Sequence, residues 1–381
     1  MKIIITDIFF RKSFDVFNIV ASNFNPNDIL IADRDSSLFN KIKATLIFRK
    51  NLYRIKYDDV SVLYNDLKKI SDTFKNEEIV ILPVEEDFLI VFYELIEKHK
   101  DELTGFKYLL PDKEVFHLAR NKYNLQKYCT TNNFPVPELY SLENARNLKF
   151  FKPLIIKPKV GSGSKGIFFI NQKADLKLLD TVVENDVLIQ KRIKNSINVI
   201  GVFVLMHNNT VVNVYCHKRI RTSPSEGGVT VLSKLISNDK VVNIAIDLLK
   251  SLKWEGVAMI EFLFDEDDQE YKIIEINPRF WGSILLSEYA KIHIVPNYIS
   301  IAANTGNIVT KSNRPNNLFI RWIIPYDIIL FLKDLLKGKA DFKKTCYINF
   351  TYSKKISAII FIFFSFFSIK NLKKFVNKIS H

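Results

Sequence analysis

The stretch YKIIEINPRFWGS, Tyr271 to Ser283, sets a carboxylate, an amide and a guanidinium at alternate positions, Glu275, Asn277 and Arg279. Ile273 and Ile274 are β-branched and favour a strand, along which side chains alternate, so Glu275 and Asn277 share a face. Pro278 has no N–H for the ladder and ends it before Arg279. Upstream, VAMIEFLF (Val257 to Phe264) reads as the partner strand, joined through the polar loop DEDDQE. A hairpin symmetric about Asp268 places Glu261 opposite Glu275. Like charges facing each other on a sheet repel, so the pair calls for a cation between them or for open water. Hard carboxylate and amide oxygens suit Mg²⁺, which completes its octahedron with water and phosphate oxygens. A solvated acidic hairpin is the other reading of the same residues.

A second constellation lies in LIIKPKVGSGSKGIFFI, Leu154 to Ile170. Two short strands flank a loop of Gly161, Ser162, Gly163, Ser164 and Gly166, with Lys165 inside it and Lys157 on the strand leading in. Glycine lets backbone N–H groups approach closely, and successive amides make a nest for an anion such as phosphate. This is not the Walker arrangement, because Gly166 is followed by Ile167 and a strand. Without other support, a flexible hairpin loop explains it equally well.

The elements that must position these residues follow an α/β pattern. Lys2 to Ile8, Asp28 to Ala32 and Glu78 to Pro83 are apolar runs of strand length, the first two separated by a helix, and Phe88 to Lys100 reads as an amphipathic helix. No glycine fingerprint follows the first strand, so dinucleotide binding there has no support. One helix is expected from about Glu114 to Cys129, carrying Lys122, with NNFPVPEL turning into an extended segment because each proline restricts its predecessor.

At 381 residues the chain suits two or three domains. Its net charge of +14 is uneven: from Phe331 to His381, eleven lysines stand against Asp334 and Asp341. The body is therefore near neutral and does not read as a nucleic-acid binder. Cys129, Cys216 and Cys346 form no metal or redox spacing, which fits a reducing cytoplasm. MKIIITDIFF carries Asp7 within its apolar stretch and has no small-residue cleavage site, so no signal peptide is expected.

Taken in order, Lys122 in a helix, FPVPEL, IIKPKVGSGSKG, VLIQKRI, IEFLF and EINPRFWGS resemble the ATP-grasp superfamily over about residues 110 to 310. The resemblance is nearest to carboxylate–amine ligases related to the large chain of carbamoyl-phosphate synthase. It implies an α/β fold: a Rossmann-like pre-ATP-grasp domain over residues 1–112, then a two-lobed α+β ATP-grasp unit. The small lobe with lid and hinge would span 113–193, the large lobe with the metal site 194–312, and a basic, apolar tail 313–381.

The same resemblance assigns roles. Lys122 and Lys157 match the lysines on the α- and β-phosphates of ATP, and Gly161, Ser162, Gly163, Ser164 and Gly166 the lid. Gln190, Lys191 and Ile193 match the hinge facing adenine. Glu261, Glu275 and Asn277 match the ligands of two Mg²⁺ ions, which Mn²⁺ can replace, and Arg279 the cation on the transferred phosphoryl group. Where the family often has an acid for the ribose this chain has KNSIN, leaving Asn198 as the nearest polar candidate. Lys218, Arg219 and Arg221 compete to reach the γ-phosphate, with Arg219 favoured.

The activity implied is an ADP-forming ligase joining a small-molecule carboxylate to an amine. A carboxylate has no leaving group until its oxygen is phosphorylated, and the obstacle is the repulsion between two anions, which positioned cations relieve. An ATP-binding module without turnover and a bicarbonate-activating, carboxylase-like enzyme are the alternatives. In the tail, ISAIIFIFFSFFSI (Ile356 to Ile369) is uncharged and flanked by lysines. As a helix its 14 residues reach about 21 Å, short of the ~30 Å hydrocarbon core, so it is not expected to span a membrane. Two fates remain open to it: packing on the body, or peripheral contact with anionic lipid at the cytoplasmic face.

Overall fold

The computed structural model describes residues 1–75, 77–161, 166–193, 199–223, 229–309, 318–322 and 346–348, with the single positions 327, 336, 360 and 364. The chain divides into two compact units, one of Met1–Leu109 with Arg279–His381, the other Leu110–Pro278.

The first unit opens with parallel strands β1 (Lys2–Ile5), β2 (Ile29–Asp33), β3 (Leu52–Arg54), β4 (Ile79–Leu82) and β5 (Phe106–Lys107), ordered β3-β2-β1-β4-β5. Between them run α1 (Arg11–Asn23), α2 (Leu38–Phe48), α3 (Val60–Thr73) and α4 (Glu86–His99). Ile3, Ile4 and Ile5, like Val80, Ile81 and Leu82, are all buried, because a parallel sheet is covered on both faces and its strands read as unbroken apolar runs. The strand expected as far as Ile8 stops at Ile5. Asp7 takes φ +54° and turns its carboxylate inward, where Oδ1 accepts the Tyr57 O–H at 2.5 Å.

The second unit starts with α5 (Lys113–Arg120) and α6 (Lys122–Thr131). One continuous helix was expected here. Asn121 divides it, its Oδ1 accepting the N–H groups of Tyr123 and Asn124 at 3.1 Å and so capping α6. Next come β6 (Leu139–Tyr140), α7 (Leu142–Arg146), β7 (Leu154–Pro158), β8 (Phe168–Ile170) and β9 (Val187–Lys191), whose strands form an antiparallel sheet ordered β6-β9-β7-β8 over a small core of Leu154, Ile156, Ile170, Leu179 and Ile189. A larger antiparallel sheet follows from β10 (Ile200–His207), β11 (Thr210–Ser223), β12 (Val229–Ile236), β13 (Gly256–Asp265) and β14 (Glu270–Asn277), in the order β14-β13-β10-β11-β12 within this unit. Helix α8 (Asp239–Ser251) buries Val241, Ala245, Leu248 and Leu249, one face of a 3.6-residue period, in a core shared with Val202, Trp254, Phe262 and Ile273.

From Arg279 the chain returns to the first unit with α9 (Leu285–Tyr289), α10 (Ile294–Ala302), β15 (Phe319–Arg321) and β16 (Cys346–Ile348). There the Trp322 indole N–H donates to the buried Asp15 at 3.1 Å, and Phe280 packs on Tyr298. The mixed α/β organisation is the one expected, with a parallel sheet at the N-terminus and antiparallel sheets after it.

Candidate functional site

Ala258, Ile260 and Phe262 of β13 face the large core, which leaves Met259 and Glu261 on the other face. On β14, Ile273 and Ile276 both belong to that core although they are three residues apart. A bulge resolves this: Phe262 pairs with Ile273 and Glu261 with Glu275, so Ile274 is the extra residue. Glu275 and Asn277 are thereby turned onto the face of Glu261, and the two carboxylates stand at facing positions. The same row continues through Gly201 of β10 to His217 of β11. A Cβ at Gly201 would lie 2.7 Å from the Phe203 ring and 3.1 Å from His217, so this position is restricted to glycine by packing. His217 is buried and stays neutral, its pKa lowered to about 3 by burial and by the charge of Arg219.

Three cations answer the two acids. Arg219 Nη2 lies 2.8 Å from Glu261 Oε1, and Lys122, at the first turn of α6, sets Nζ 3.4 Å from Glu275 Oε2 and 2.7 Å from the Gly161 carbonyl. Lys157 on β7 is the third. It is only 7% exposed, and among the described residues its ammonium makes no hydrogen bond or ion pair. Burial, with the charge of Lys122, lowers its pKa to about 8 against the pull of Glu275 and Glu261. The acids are driven apart: burial and the Glu275 charge raise Glu261 despite Arg219, whereas burial of Glu275 is outweighed by Lys122, the Asn277 amide, Lys157 and Arg219, which lower it.

Two hard carboxylates and an amide on one sheet face fit a Mg²⁺ ion, provided Asn277 rotates. As placed, its Nδ2 donates to Glu275 Oε1 at 3.0 Å, and a metal would require Oδ1 there. Among the described residues no group of three His, Cys, Asp or Glu gathers, so such an ion would draw its remaining ligands from amide, water or phosphate oxygens.

The small sheet supplies the other expected residues. Gly166 takes φ +71°, and a Cβ there would meet Pro158 at 3.0 Å, so the exit of the glycine loop demands glycine. Gly161 is the loop's entry, while Ser162, Gly163 and Ser164, like Asn198, lie outside the described residues. Gln190 is buried and accepts from Gln126 Nε2 at 2.9 Å. Lys191 donates its backbone N–H to the Glu138 carbonyl and its ammonium to Asp265 at 2.9 Å and Asp267 at 2.6 Å, which ties β9 to the hairpin turn. Ile193 is buried. Arg279 belongs to the first unit, where Nε lies 3.9 Å from Glu86. Gln126 and Asp265 were not singled out from sequence: the DEDDQE loop signals the second, but nothing in sequence marks the first.

Residues 119–283 match the family model described as ATP-grasp domain. Among curated proteins the chain is 23% identical over 304 residues to pyruvate carboxylase of Staphylococcus aureus, covering 70% of this chain and 26% of that one. It is 21% identical over 215 residues to D-aspartate ligase of Enterococcus faecium (49% and 51%) and 23% over 211 to carbamoyl-phosphate synthase of Methanobrevibacter smithii (50% and 55%). The chain thus spans between 26% and 55% of the length of these relatives. Among solved structures it is similar to the biotin carboxylase–β,γ-ATP complex of Campylobacter jejuni, with TM-score 0.60 at 17% identity over 79% of this chain and 70% of that one. The biotin carboxylase domain of Hydrogenobacter thermophilus 2-oxoglutarate carboxylase, in complex with MgADP, ADP and bicarbonate, gives 0.60 at 16% over 84% and 73%.

Proposed function

Residues 119–283 being an ATP-grasp domain, we propose that this chain is an ATP-dependent, ADP-forming ligase that joins a small-molecule carboxylate to an amine. The observation that carries this reading is Lys157, a buried ammonium that makes no hydrogen bond or ion pair with another described residue and lies in the field of two facing carboxylates. A buried cation is costly unless an anion meets it, and a nucleotide phosphate is such an anion. Lys122 stands at the entry of the glycine loop, where it would take a second phosphate oxygen. Glu261, Glu275 and Asn277 would hold Mg²⁺, which neutralises phosphate charge when bound.

In this scheme a substrate carboxylate oxygen attacks the γ-phosphorus, the bond to the β-phosphate oxygen breaks, and ADP departs. The acyl phosphate so formed is attacked at its carbonyl carbon by the neutral amine, inorganic phosphate leaves with the C–O bond electrons, and the proton lost from nitrogen is taken up by the released phosphate. The residues contribute charge and position: Lys122 and Lys157 orient the phosphates, and Arg219 is the cation assigned to the migrating group. Gly161 and Gly166 border the loop that would close over it and exclude water.

Likeness to biotin carboxylases favours a second reading, in which bicarbonate takes the place of the carboxylate. Both readings share the phosphorylation half-reaction and differ in the acceptor. ADP release with Mg·ATP, measured over a matrix of carboxylic acids and amines and separately with bicarbonate and biotin, separates them. Fast release that requires both an acid and an amine supports the ligase, and release that requires bicarbonate replaces it. Background rates throughout, with ATP still bound in calorimetry, leave a binding module without turnover.

A further inference from the structure

We propose that helix α2 of the first unit docks the protein on the surface of a bilayer carrying anionic lipids. Its inner side is buried through Ala44, Ile47 and Phe48. Its outer side is unusual for a surface helix. Leu38 is 75% exposed, Phe39 62%, Ile42 51% and Leu46 49%. At about 100° per residue these four fall within an arc of about 100°, with the half-buried Lys43, its ammonium 3.9 Å from the centre of the Phe9 ring, bordering one edge, Lys41 beyond the other and Arg49 capping the C-terminus in the left-handed conformation. Scattered exposed apolar residues need no explanation, but a continuous apolar stripe bordered by cations is the pattern of a helix lying in a membrane interface.

Two observations single out an anionic surface as the occupant. Residues 34–56, which contain α2, carry seven Lys and Arg against Asp35 alone. Residues 331–381 carry eleven Lys against two Asp. Against a net charge of +14 for the whole chain, these two stretches hold the entire excess and leave the remainder near neutral. One described residue of the second stretch touches the first: the Phe364 ring packs edge-on against Phe39 with centroids 5.6 Å apart, and Lys43 Nζ lies 5.9 Å from the same ring. Phe364 belongs to the uncharged run Ile356 to Ile369. Phe39 remains 62% exposed beside this ring, and Leu38, Ile42 and Leu46 keep the exposures given above. The helix therefore presents both the apolar stripe and the flanking cations that attraction to anionic headgroups uses.

Co-sedimentation of the full-length protein with vesicles tests the proposal. Wild type is expected to sediment with phosphatidylglycerol/phosphatidylcholine vesicles at low salt, to stay in the supernatant with phosphatidylcholine alone, and to be released as salt rises. The double variant Leu38→Glu/Ile42→Glu should lower the partition coefficient about tenfold or more, and Lys41→Glu should lower it several-fold. All three positions are solvent-facing, so the unfolding midpoint and ATP binding should match wild type; a shifted midpoint would move the test to Lys41→Glu alone. Three outcomes overturn the proposal. Wild type stays in the supernatant with anionic vesicles; the variants sediment as wild type does, placing attachment outside α2; or wild type is a dimer that ignores vesicles and the double variant a monomer, making the stripe a contact between two copies.

Discussion

Two buried lysines, one in each unit, have their pKa lowered to about 8, chiefly by burial, yet they are held differently. Lys12, in the first turn of α1, sets Nζ 2.9 Å from Glu85, the residue that precedes α4. Among the described residues Lys157 has no such partner and sees Glu261 and Glu275 only as part of a group that also contains Lys122 and Arg219. Burial alone therefore does not mark a functional lysine. A charge closed by its own carboxylate is structure; one left open beside a metal-type acid pair is a place for an incoming anion.

Replacing each lysine by methionine tests that difference most strongly. Lys12→Met would leave Glu85 partly buried without its cation. Breaking a buried pair costs ~3–5 kcal/mol when both partners are fully desolvated, and Glu85 retains some exposure, so a loss of about 2–3 kcal/mol is expected in urea unfolding. Lys157→Met replaces a buried ammonium, its charged form disfavoured by burial, with an apolar side chain of similar length, so stability should hold or rise by up to ~1 kcal/mol, while ATP affinity in calorimetry falls about 10- to 100-fold. If the two variants lose the same stability and bind ATP alike, the distinction between them is wrong.

Glu275→Gln probes the acid side of the open cluster. Sequence alone makes the Glu261–Glu275 pair a repulsion whose relief stabilises the fold. In the structure Glu275 sits 3.4 Å from Lys122 and its charge is favoured by Lys157 and Arg219, so the neutral amide should lower the melting temperature of the nucleotide-free protein. Substrate-dependent ADP release should fall by about 10² or more. Near-normal release would remove Glu275 from the site, and a raised melting temperature would mean that the cations do not compensate the pair.

How far the sequence leads is clearest in this hairpin. Counting outward from Asp268 places Glu261 opposite Glu275, which is how they pair, but two departures cancel to give that result. Near the turn, Asp265 pairs with Glu270, so the hairpin is centred between Asp267 and Asp268; the bulge at Ile274 then shifts the register back. Alternation alone would have put Ile273 on the acidic face. A bulge is a local backbone choice with no signature in KIIEIN. Likewise a helical pattern from Glu114 to Cys129 conceals the cap at Asn121, because its neighbours are all compatible with a continuous helix. The tie between Lys191 and Asp265, 74 residues apart in the chain, depends on tertiary packing that no local pattern encodes. Apolar runs and polar motifs were legible; contacts between distant elements were not.

The smallest effect concerns pH, and its sign follows from the lowered lysines. An unfolded chain would hold Lys12 and Lys157 at the ordinary lysine pKa of 10.5, whereas the folded protein releases these protons near pH 8. Between those limits the unfolded state binds more protons, so stability rises with pH from about 8 to 10.5, and below pH 8 the cost of burying both charges is fully present. Lys157→Met should remove about half of that rise, since Lys12 still contributes. ATP binding should show the opposite trend. A phosphate favours the charged lysine, so affinity should be flat below pH 8 and then decline, by up to about tenfold near pH 9 as the neutral amine comes to dominate. Lys157→Arg keeps its charge throughout this range and should flatten the profile even if it binds more weakly at pH 7. Lys12→Met, which leaves the open cluster untouched, should retain the decline. Should the affinity of wild type stay constant up to pH 9.5, the Lys157 ammonium does not face the nucleotide, and the contrast between the two lysines reduces to how each is packed.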